Sequence, residues 1–463
     1  MMEDSLLWKD ELHEECGVVG CFGVEHAAFK ACQALMILQH RGQQGCGIAV
    51  LGDDGNIRLH KHAGLVREVF GEEELNALPG TAGIGHVRYP TTEVGGAENL
   101  QPFKMTGKTG TFALAHNGNI VNADILRKRV EAQGHLLVST SDSELFSLLV
   151  GTGGKGWTEN ILSAVHQLDG AFSTVILTPD ALYACRDRYG LRPLSLARLG
   201  DGYVVASETC ALHFIGATVL RDIEPGELIR IDRNGITSFR HSRSAGNRMC
   251  SMEYIYFARP DSDIEGCGVH AFRKRSGALL WAEQPTEADL VMCVPESGMS
   301  AAIGYAEAGN IPLEMGLLKN MYVARTFIQP SQHLRDLGVR MKLSPVQSIV
   351  KGKRVVVIDD SIVRGTTSRQ IVQLLRSAGA SEIHMRIASP VYAWPCFYGI
   401  DTGTRDQLIG ARMDVEAIRA YLGADSLHYL SVEALSEAAG GRPLCTACFD
   451  GRYPTDLYGH EDA

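Results

Sequence analysis

The chain has 463 residues, 45% of them hydrophobic and 21% charged, which is the ordinary composition of a globular protein. No run approaches the ~18 consecutive apolar residues of a membrane-spanning helix, so no membrane partner is expected. A formal net charge of -10, from 44 basic and 54 acidic residues, argues against a nucleic-acid-binding surface. The length predicts two domains of roughly 200 residues each, with room for two separate sites.

The first 15 residues are acidic and lack the basic and apolar stretches of a secretory signal, so we predict a cytoplasmic protein. In that compartment the 12 cysteines stay reduced and serve in packing, catalysis or metal binding rather than in disulfides. Most of them are expected to be core residues. The cysteines that we consider instead for catalysis or metal binding are Cys16, Cys250, Cys396, Cys445 and Cys448.

The first half of the chain alternates short β-rich runs with turn residues, and the predicted strands are 17–24, 47–51, 81–89, 111–115, 173–177 and 203–207. Helices are predicted at 27–39 and 143–150, the second opened by a capping box between Ser141 and Glu144. This mixture predicts sheets with helices packed outside them. Around 239–249 the sequence becomes basic and polar without an apolar period, which predicts a domain boundary.

Cys16 stands immediately before the first predicted strand. A cysteine at a chain terminus carries its own base, because a free α-amino group titrates near ~7.7–8.0 and accepts a proton at neutral pH. An internal amide nitrogen cannot do so. The hypothesis that Cys16 is such a nucleophile therefore requires that residues 1–15 are a propeptide and are removed.

Further polar residues follow in short motifs at 85–89, 116–119 and 140–144. Residues 14–20 resemble the start of amidotransferases whose nucleophile is an N-terminal cysteine, and this resemblance implies glutamine as the substrate. Glutamine is a zwitterion with an amide, so its pocket needs a cation, an anion and donors for an oxyanion. These types are present as Arg88, Asp142 and the pair Asn117 and Gly118. Taken singly, they also suit an exposed strand residue, an acid in the first turn of a helix, and a type I′ turn.

Together with that cysteine and the stretch 39–45, these motifs resemble the amidotransferases whose nucleophile is an N-terminal cysteine. The resemblance implies that Arg88 holds the carboxylate of glutamine and that Asp142 holds its ammonium group. It also implies that the Asn117 side chain and the Gly118 N–H form the oxyanion hole.

Residues 151–156 satisfy the spacing G-x-G-x-x-G of a dinucleotide-binding loop. That motif requires a strand before it, whereas this segment follows a predicted helix. We interpret the segment as a loop that ends the helix.

After the predicted boundary the pattern becomes strand, loop and helix, from 290–295 into 301–308 and from 354–358 into 368–378. This rhythm predicts an α/β domain. Residues 355–358 are all apolar, as in a parallel strand that is covered on both faces. Ligands are therefore expected at the carboxyl end of this strand.

Two adjacent acids, Asp359 and Asp360, follow that strand, and hydroxyl and glycine residues precede the next helix. Carboxylates can accept hydrogen bonds from ribose hydroxyls, and N–H groups at a helix N-terminus suit a phosphate dianion. The combination indicates a phosphorylated sugar. The simpler interpretation is a solvated turn in which Thr366 or Thr367 is an ordinary N-cap.

Residues 355–367 closely resemble the phosphoribosyl pyrophosphate signature of type I phosphoribosyltransferases. The resemblance implies that Asp359 and Asp360 hold the ribose hydroxyls and help to place Mg²⁺. Ser297, in a second strand-loop-helix element at 295–300, matches the position on the metal side in that family. The other residues implied to bind this substrate are Ser361 and, around the 5-phosphate, Arg364, Gly365, Thr366 and Thr367.

Cys445 and Cys448 have a spacing typical of metal ligands, for which zinc is the usual alternative, and such a site needs two more ligands. The contexts of Cys250 and Cys396 resemble the cluster-bearing branch of the same amidotransferases. This resemblance implies a [4Fe–4S] cluster that joins distant segments of the chain. Cys267 competes with Cys250 as a ligand, and only the flanking residues favour Cys250.

These resemblances cover nearly the whole chain after residue 15, and the sequence is similar to the amidophosphoribosyltransferase family. The implied fold is an α+β N-terminal-nucleophile (αββα) glutaminase domain at 16–240. An α/β type I phosphoribosyltransferase domain with a parallel sheet is implied at 250–463. The stretch 321–345 resembles the mobile loop that covers the substrate in this family.

The implied reaction is the first committed step of purine synthesis. Glutamine, phosphoribosyl pyrophosphate and water give 5-phosphoribosylamine, glutamate and pyrophosphate, and ammonia passes between the two sites. The resemblance also implies a homotetramer that purine nucleotides inhibit. An alternative is a nucleotide-sensing regulator that keeps the phosphoribosyltransferase fold only for binding, although intact glutaminase residues argue against it.

Overall fold

A computed structural model of the chain describes residues 16–89, 96–242, 246–320 and 343–460. The predicted propeptide at 1–15 and most of the predicted mobile loop at 321–345 lie outside these described residues. Within the described ranges, no helix is long and apolar enough to cross a membrane.

The first half of the chain forms two antiparallel β-sheets from the strands that the structure describes there. The strands are β1 (Gly17–Phe22), β2 (Gly45–Leu51), β3 (Ile57–Ala63), β4 (Ala82–Arg88), β5 (Phe103–Gly107), β6 (Gly110–Ile120), β7 (Gly170–Leu177), β8 (Leu182–Arg186), β9 (Ser195–Leu199), β10 (Gly202–Ala206), β11 (Thr218–Asp222), β12 (Glu227–Asp232) and β13 (Gly235–Arg240). The order in one sheet is β11-β9-β10-β1-β4-β2-β3, and in the other it is β13-β12-β8-β7-β6-β5. Every pair of neighbours is antiparallel.

The two sheets pack face to face and helices cover their outer faces. Val18 and Ile84 of one sheet share a core with Val175 and Ile229 of the other. A glycine allows the first helix to lie close to its sheet, because a Cβ at position 85 would lie 2.8 Å from the nearest leucine methyl of that helix. The helices are Ala27–Ile37, Val66–Val69, Glu72–Asn76, Ala123–Ala132, Asp142–Thr152, Trp157–Val165 and Thr209–Phe214, with 3₁₀ turns at Leu38–Arg41 and Ala97–Asn99. This layering confirms the predicted αββα fold.

The predicted capping box is only half formed. The Ser141 side chain accepts a hydrogen bond from an N–H of the first helical turn at 3.2 Å and caps the helix. Glu144 instead accepts from the backbone N–H groups of Val138 and Ser139, at 3.0 and 2.6 Å. Its carboxylate therefore fixes the loop before the helix, and the prediction of a complete capping box is wrong.

The strands that were not predicted from the sequence are β3, β5, β8, β9, β11, β12 and β13. Among these, β3 and β5 lie at the edge of a sheet. Edge strands bury less surface, so their apolar pattern is weak, and most side chains of β3 and β5 are partly or fully exposed. The glycine-rich segment at 151–156 lies where one helix ends at Thr152 and the next begins at Trp157. Its interpretation as a loop that ends a helix is confirmed.

The second half of the chain is built around a parallel sheet. The strands of this half of the chain are β14 (Met249–Cys250), β15 (Asp263–Ile264), β16 (Cys267–Gly268), β17 (Leu290–Cys293), β18 (Leu317–Lys319), β19 (Leu343–Pro345), β20 (Arg354–Asp359), β21 (Glu382–Ile387), β22 (Ser426–Tyr429) and β23 (Leu444–Cys445). Its helices are Val269–Glu283, Met299–Gly309, Gln347–Val350, Thr366–Ser377, Ile409–Arg412, Val415–Leu422, Val432–Ala438 and Ala447–Asp450, with a π-helical turn at Glu253–Phe257 and a 3₁₀ turn at Arg405–Gln407.

Strands β17-β20-β21-β22 lie in this order and all their pairs are parallel. Val356 and Ile358 of β20 belong to the hydrophobic core on one face of the sheet, and Val355 and Val357 belong to the core on the other. The strand is therefore covered on both faces, which confirms the prediction of an α/β domain with a parallel sheet.

Candidate functional site

A cavity of about 330 Å³, lined mainly by the first half of the chain, contains Cys16 in its wall. Cys16 directly precedes β1, and Arg88 ends the neighbouring strand β4, because Gly17 pairs with Val87 across the sheet. Gly118 comes from β6 in the facing sheet, and Asp142 begins a helix outside that sheet. The fold thus brings four of the predicted glutamine-site residues to one space, which we call the Cys16 cavity.

The Cys16 thiol is half-buried, and its Sγ lies 3.9 Å from the Tyr89 carbonyl oxygen. Burial raises the pKa of this thiol above its ordinary value, although the Arg88 charge partly opposes the shift. The neutral thiol therefore predominates at neutral pH, and it needs a base before it can attack a substrate.

Arg88 and Asp142 supply opposite charges to the Cys16 cavity. The Arg88 side chain is 7% exposed, and its Nη1 donates to Gln44 Oε1 at 2.8 Å, so it is not an exposed strand residue. Asp142 does lie in the first turn of a helix, and its Oδ2 accepts from the Ile120 N–H at 2.9 Å. Burial alone would raise the pKa of Asp142, but His116 and these hydrogen bonds hold it below its ordinary value.

Asn117 and Gly118 lie inside β6, paired with Ser173 and Phe172, so their interpretation as a type I′ turn is wrong. Gly118 has a φ of 135°, and a Cβ there would lie 2.1 Å from the Ala171 carbonyl oxygen, so only glycine fits. The Asn117 side chain is fully buried, and its amide nitrogen has no hydrogen-bond partner within the described residues. Asn117 itself does not line the Cys16 cavity, but its neighbour Gly118 does. A buried, unpaired donor next to that wall residue suits a developing oxyanion.

Two residues of the second half also line the Cys16 cavity, and sequence motifs did not indicate either of them. Phe397 and His460 stand on its wall, with their rings stacked at 6.0 Å between centroids. The Phe397 carbonyl accepts from Asn119 Nδ2 at 2.9 Å. A contact between residues this far apart in the chain leaves no local signal in the sequence.

Asp359 and Asp360 lie at the carboxyl end of β20, and each is 7% exposed. The Asp360 N–H donates to Asp359 Oδ1 at 3.0 Å, and Ser361 Oγ donates to Asp360 Oδ1 at 2.7 Å. An ionised carboxylate has about four acceptor sites on its two oxygens, which can bind hydroxyls or a cation. This segment therefore suits a polyhydroxylated ligand.

The helix Thr366–Ser377 begins directly after this segment, and its N-cap is Gly365, with a φ of 80°. Neither Thr366 nor Thr367 is the N-cap, so the simpler interpretation of these threonines is wrong. The first N–H groups of a helix lack intrahelical partners, and they attract an anion. Arg364 adds a positive charge there, and its Nη2 donates to Gln407 Oε1 at 2.9 Å.

Ser297 and Asp360 line one small cavity together with Arg273 and Ser276. The two meet because β17 and β20 are adjacent parallel strands, and the loops that follow them leave the same edge of the sheet. Within the described ranges, no three His, Cys, Asp or Glu side chains could hold a metal ion by themselves. This donor set still fits Mg²⁺, which is commonly held by one or two carboxylates, waters and substrate phosphates.

A third cavity is lined by the four cysteines predicted to bind a cluster, and we call it the cysteine cavity. Its lining includes Cys250, Cys396, Cys445 and Cys448. Cys250 of β14 pairs directly with Cys445 of β23, so the start and the end of the second half meet here. Cys267 is not part of this lining, and its Sγ accepts from Arg275 Nη2 at 3.2 Å.

Four thiols around one apolar cavity fit an iron–sulfur cluster, in which each thiolate binds a different iron. They need not converge on one ion, which agrees with the absence of a single-ion site among the described residues. Burial raises the pKa of Cys250 and of Cys445 to about 12, and Arg192 opposes the shift in both. These thiols are therefore neutral unless a bound metal stabilises the thiolates.

Comparison with known proteins identifies both halves. A glutamine amidotransferase domain matches residues 86–214, and a phosphoribosyl transferase domain matches residues 281–391. The chain is 51% identical over 455 residues to the amidophosphoribosyltransferase of Bacillus subtilis (strain 168), covering 96% of this chain and 95% of that protein. It is 45% identical over 464 residues to that of Methanocaldococcus jannaschii, covering 96% of this chain and 98% of that protein.

A solved structure of the B. subtilis glutamine phosphoribosylpyrophosphate amidotransferase, complexed with ADP and GMP, matches with a TM-score of 0.92 and 50% identity, covering 96% of this chain and 98% of that one. The chain therefore belongs to the amidophosphoribosyltransferase family.

Proposed function

We propose that Cys16 hydrolyses glutamine and that the released ammonia reacts with phosphoribosyl pyrophosphate held at Asp359 and Asp360. The products of this amidophosphoribosyltransferase reaction, the first committed step of purine synthesis, are 5-phosphoribosylamine, glutamate and pyrophosphate. The observation that carries the proposal is the Cys16 cavity, where a nucleophile stands with the cation and the anion that zwitterionic glutamine requires.

In the first step, the Cys16 Sγ attacks the amide carbon and its proton passes to the Cys16 α-amino group, once residues 1–15 have been removed. Arg88 and Asp142 hold the two charged ends of the substrate, so the amide lies at the thiol. The Asn117 amide and the Gly118 N–H stabilise the oxyanion. Collapse of the tetrahedral adduct expels ammonia with that proton, and water then hydrolyses the thioester to glutamate.

In the second step, ammonia attacks C1 of the ribose as pyrophosphate leaves. Asp359 and Asp360 accept hydrogen bonds from the ribose hydroxyls, and Ser361 belongs to the same binding segment. The 5-phosphate binds at Arg364, Gly365, Thr366 and Thr367, where the helix begins. Ser297, Asp359 and Asp360 would hold Mg²⁺, which neutralises negative charge on the departing pyrophosphate.

We assign the glutaminase domain to 16–240 and the phosphoribosyltransferase domain to 250–463, in a cytoplasmic homotetramer. Purine nucleotides are proposed as feedback inhibitors, and the B. subtilis structure in complex with ADP and GMP supports this. A regulator that only senses nucleotides would not require a nucleophile, an anion and a cation in one cavity. The geometry of the Cys16 cavity therefore favours the enzyme.

The coupled reaction is tested on anaerobically purified protein supplied with glutamine, with and without phosphoribosyl pyrophosphate and Mg²⁺. We expect glutamate and pyrophosphate in equal amounts, and faster glutamate release when the sugar phosphate is present. Glutamate release that is indifferent to the sugar phosphate would point to another ammonia acceptor. No turnover by protein that begins at Cys16 would favour the nucleotide-sensing regulator.

Substitution Arg88→Gln is expected to raise the KM for glutamine about tenfold or more, because the substrate carboxylate loses its charge-assisted partner. The ammonia-dependent rate at the other site should not change. Steady-state kinetics with glutamine and with ammonium salts measure both quantities. Arg198→Gln is the matched control, since Arg198 is an exposed residue of β9 outside the cavity. An unchanged KM in Arg88→Gln would contradict the assigned role.

We also propose that Cys250, Cys396, Cys445 and Cys448 hold a [4Fe–4S] cluster, whose contribution when bound is to cross-link distant segments of the chain. Two features support this proposal. All four thiols line the cysteine cavity, and the Tyr398 N–H donates to Cys396 Sγ at 3.3 Å, as it would to a ligating thiolate.

Substitution Cys250→Ser is expected to abolish iron binding, because a four-thiolate site loses a ligand. The readouts are iron and sulfide content per chain and the visible absorption of anaerobically purified protein. Cys267→Ser is the matched control, because Cys267 is buried nearby but does not line the cavity. Full iron content in Cys250→Ser, with loss of iron in Cys267→Ser, would reverse the assignment of these two cysteines.

A further inference from the structure

Four charged side chains are buried where the two halves of the chain meet, close to Cys16. Arg41, Arg192 and Glu208 come from the first half, and Glu253 comes from the second. None of these side chains is more than 1% exposed. The catalytic steps described above use none of them, yet a buried charge is costly unless its partners fix it in place.

Glu253 is the centre of this group and bridges the two arginines. Its Oε1 accepts from Arg41 Nη2 at 2.6 Å and from Arg192 Nη1 at 3.1 Å, and its Oε2 accepts from Arg41 Nη1 at 2.9 Å. Glu208 Oε1 accepts from the same Arg41 Nη1 at 2.8 Å. Burial alone would raise the pKa of both glutamates. His40 and Arg41 hold the pKa of Glu208 below its ordinary range, and Arg41 and Arg192 do the same for Glu253. Both carboxylates therefore stay ionised.

The Nε–H of the Arg41 guanidinium is directed at the backbone of the nucleophile. Arg41 Nε donates to the Cys16 carbonyl oxygen, at 3.3 Å. A guanidinium is planar and its N–H groups have fixed directions. Carboxylates that accept hydrogen bonds from the two terminal nitrogens therefore also set the direction of the Nε–H bond. Glu208 and Glu253 thus determine where Arg41 meets Cys16.

The backbone of Cys16 matters more than that of an ordinary nucleophile. In the proposed mature enzyme it carries both the attacking thiol and the α-amino base, and it is covalently attached to the chain on one side only. A terminal residue without contacts is poorly ordered. Small displacements of a reacting group are also costly, because rate depends steeply on alignment.

We propose that Arg41 is a positioning residue for Cys16 and that Glu253, from the phosphoribosyltransferase half, holds Arg41 in the required orientation. The inference rests on the proposed role of Cys16. The second half of the chain thereby sets the geometry of glutamine hydrolysis in the first half. Arg192 extends the same network to the Tyr398 carbonyl, at 2.8 Å, beside the cysteine cavity.

The test compares Arg41→Lys and Glu253→Gln with the control Arg186→Lys in the full chain. Lysine keeps the positive charge of Arg41 but lacks the two terminal guanidinium nitrogens and Nε. Glutamine keeps the shape of the Glu253 side chain but lacks its negative charge. Arg186 is an equally buried arginine, and it pairs at 3.0 Å with Glu265 of the second half. Its side-chain contacts do not include Cys16 or Glu253.

For Arg41→Lys and Glu253→Gln we expect the glutamine-dependent kcat to fall about tenfold or more, with the KM for glutamine within about twofold, since Arg88 and Asp142 are intact. The ammonia-dependent rate should stay within about twofold in both, because the other site is untouched. Alkylation of Cys16 by a diazoketone analogue of glutamine should slow in parallel. Arg186→Lys should leave the ratio of the glutamine-dependent rate to the ammonia-dependent rate unchanged. All rates are normalised to the fraction of chains that begin at Cys16, measured by intact mass.

An unchanged glutamine-dependent kcat in both variants overturns the inference. So does an equal fall of the glutamine-dependent and ammonia-dependent rates, since this shows general destabilisation rather than mispositioning. Failure of the proposed function itself is recognised separately. It appears as persistence of the glutamine-dependent rate in Cys16→Ala, whatever the Arg41 and Glu253 variants do.

Discussion

Replacement of Cys16 by alanine is expected to lower the glutamine-dependent rate about 1,000-fold or more while the ammonia-dependent rate stays within about twofold. The substitution removes the nucleophile but leaves the second site, which accepts ammonia from solution. Phosphoribosylamine formation is measured with glutamine and then with ammonium chloride as the nitrogen source. The ratio of the two rates isolates the glutaminase step.

Cys32→Ala is the matched control for this experiment. Cys32 is a buried cysteine of the helix Ala27–Ile37 in the same half of the chain, and it does not line the Cys16 cavity. We expect it to keep both activities and to lose only packing stability, about 1 kcal/mol. A glutamine-dependent rate in Cys16→Ala above about one tenth of the parent would exclude Cys16 as the nucleophile.

Substitution Asp360→Asn is expected to reduce phosphoribosylamine formation about 100-fold or more with either nitrogen source. The neutral amide is nearly isosteric, so the fold is retained, but the side chain no longer offers two anionic acceptors to ribose hydroxyls or to Mg²⁺. Asp359→Asn should behave in the same way. Pyrophosphate release in the presence of ammonia is the direct measurement.

Two observations separate this effect from unfolding. Basal glutamine hydrolysis without the sugar phosphate should persist in Asp360→Asn, because Asp360 does not line the Cys16 cavity. The matched control Asp456→Asn changes an exposed acid of the same half and should keep full activity. Retention of more than about one tenth of the ammonia-dependent rate in Asp360→Asn would contradict its assigned role.

The second half of the chain contributes to the glutaminase site at several points. Phe397 and His460 form part of the wall of the Cys16 cavity, and Glu253 holds the arginine that contacts the Cys16 carbonyl. Phe397 directly follows Cys396, which lines the cysteine cavity. The Cys16 cavity and the cysteine cavity are therefore physically connected, and we expect Cys250→Ser, which removes a ligand of the proposed cluster, to lower the rate of glutamate release from glutamine as well.

The chemistry of the sites was readable from local sequence because each motif occupies one turn or one strand end. The acid pair at Asp359 and Asp360 follows an apolar strand, and the structure has that strand buried on both faces. The pattern of apolar residues predicted sheets with helices packed outside them, and the family resemblance implied the glutaminase fold. Edge strands such as β3 and β5 bury few side chains and so leave little pattern. The inner strands β8 and β12 were also missed, although most of their side chains are buried.

Local interpretations failed where distant parts of the chain decide the conformation. Asn117 and Gly118 look like a turn in isolation, but β7 pairs with them and extends the strand through both residues. Glu144 has the spacing of a capping box, but the preceding loop brings the backbone of Ser139 within reach of its carboxylate. Hydrogen-bond geometry selected the available donor rather than the one that sequence spacing predicts.

The sequence by itself determined the family, the two kinds of fold and the residue types at both sites, since periodicity and short motifs are local properties of a chain. Only the tertiary structure decided which residues share a space. It excluded Cys267 from the cysteine cavity, which four other cysteines line. It also brought Arg41 into hydrogen-bond contact with Glu253, 212 residues away in the chain. Such contacts depend on how two independently patterned halves pack against each other, and no local sequence pattern encodes that packing.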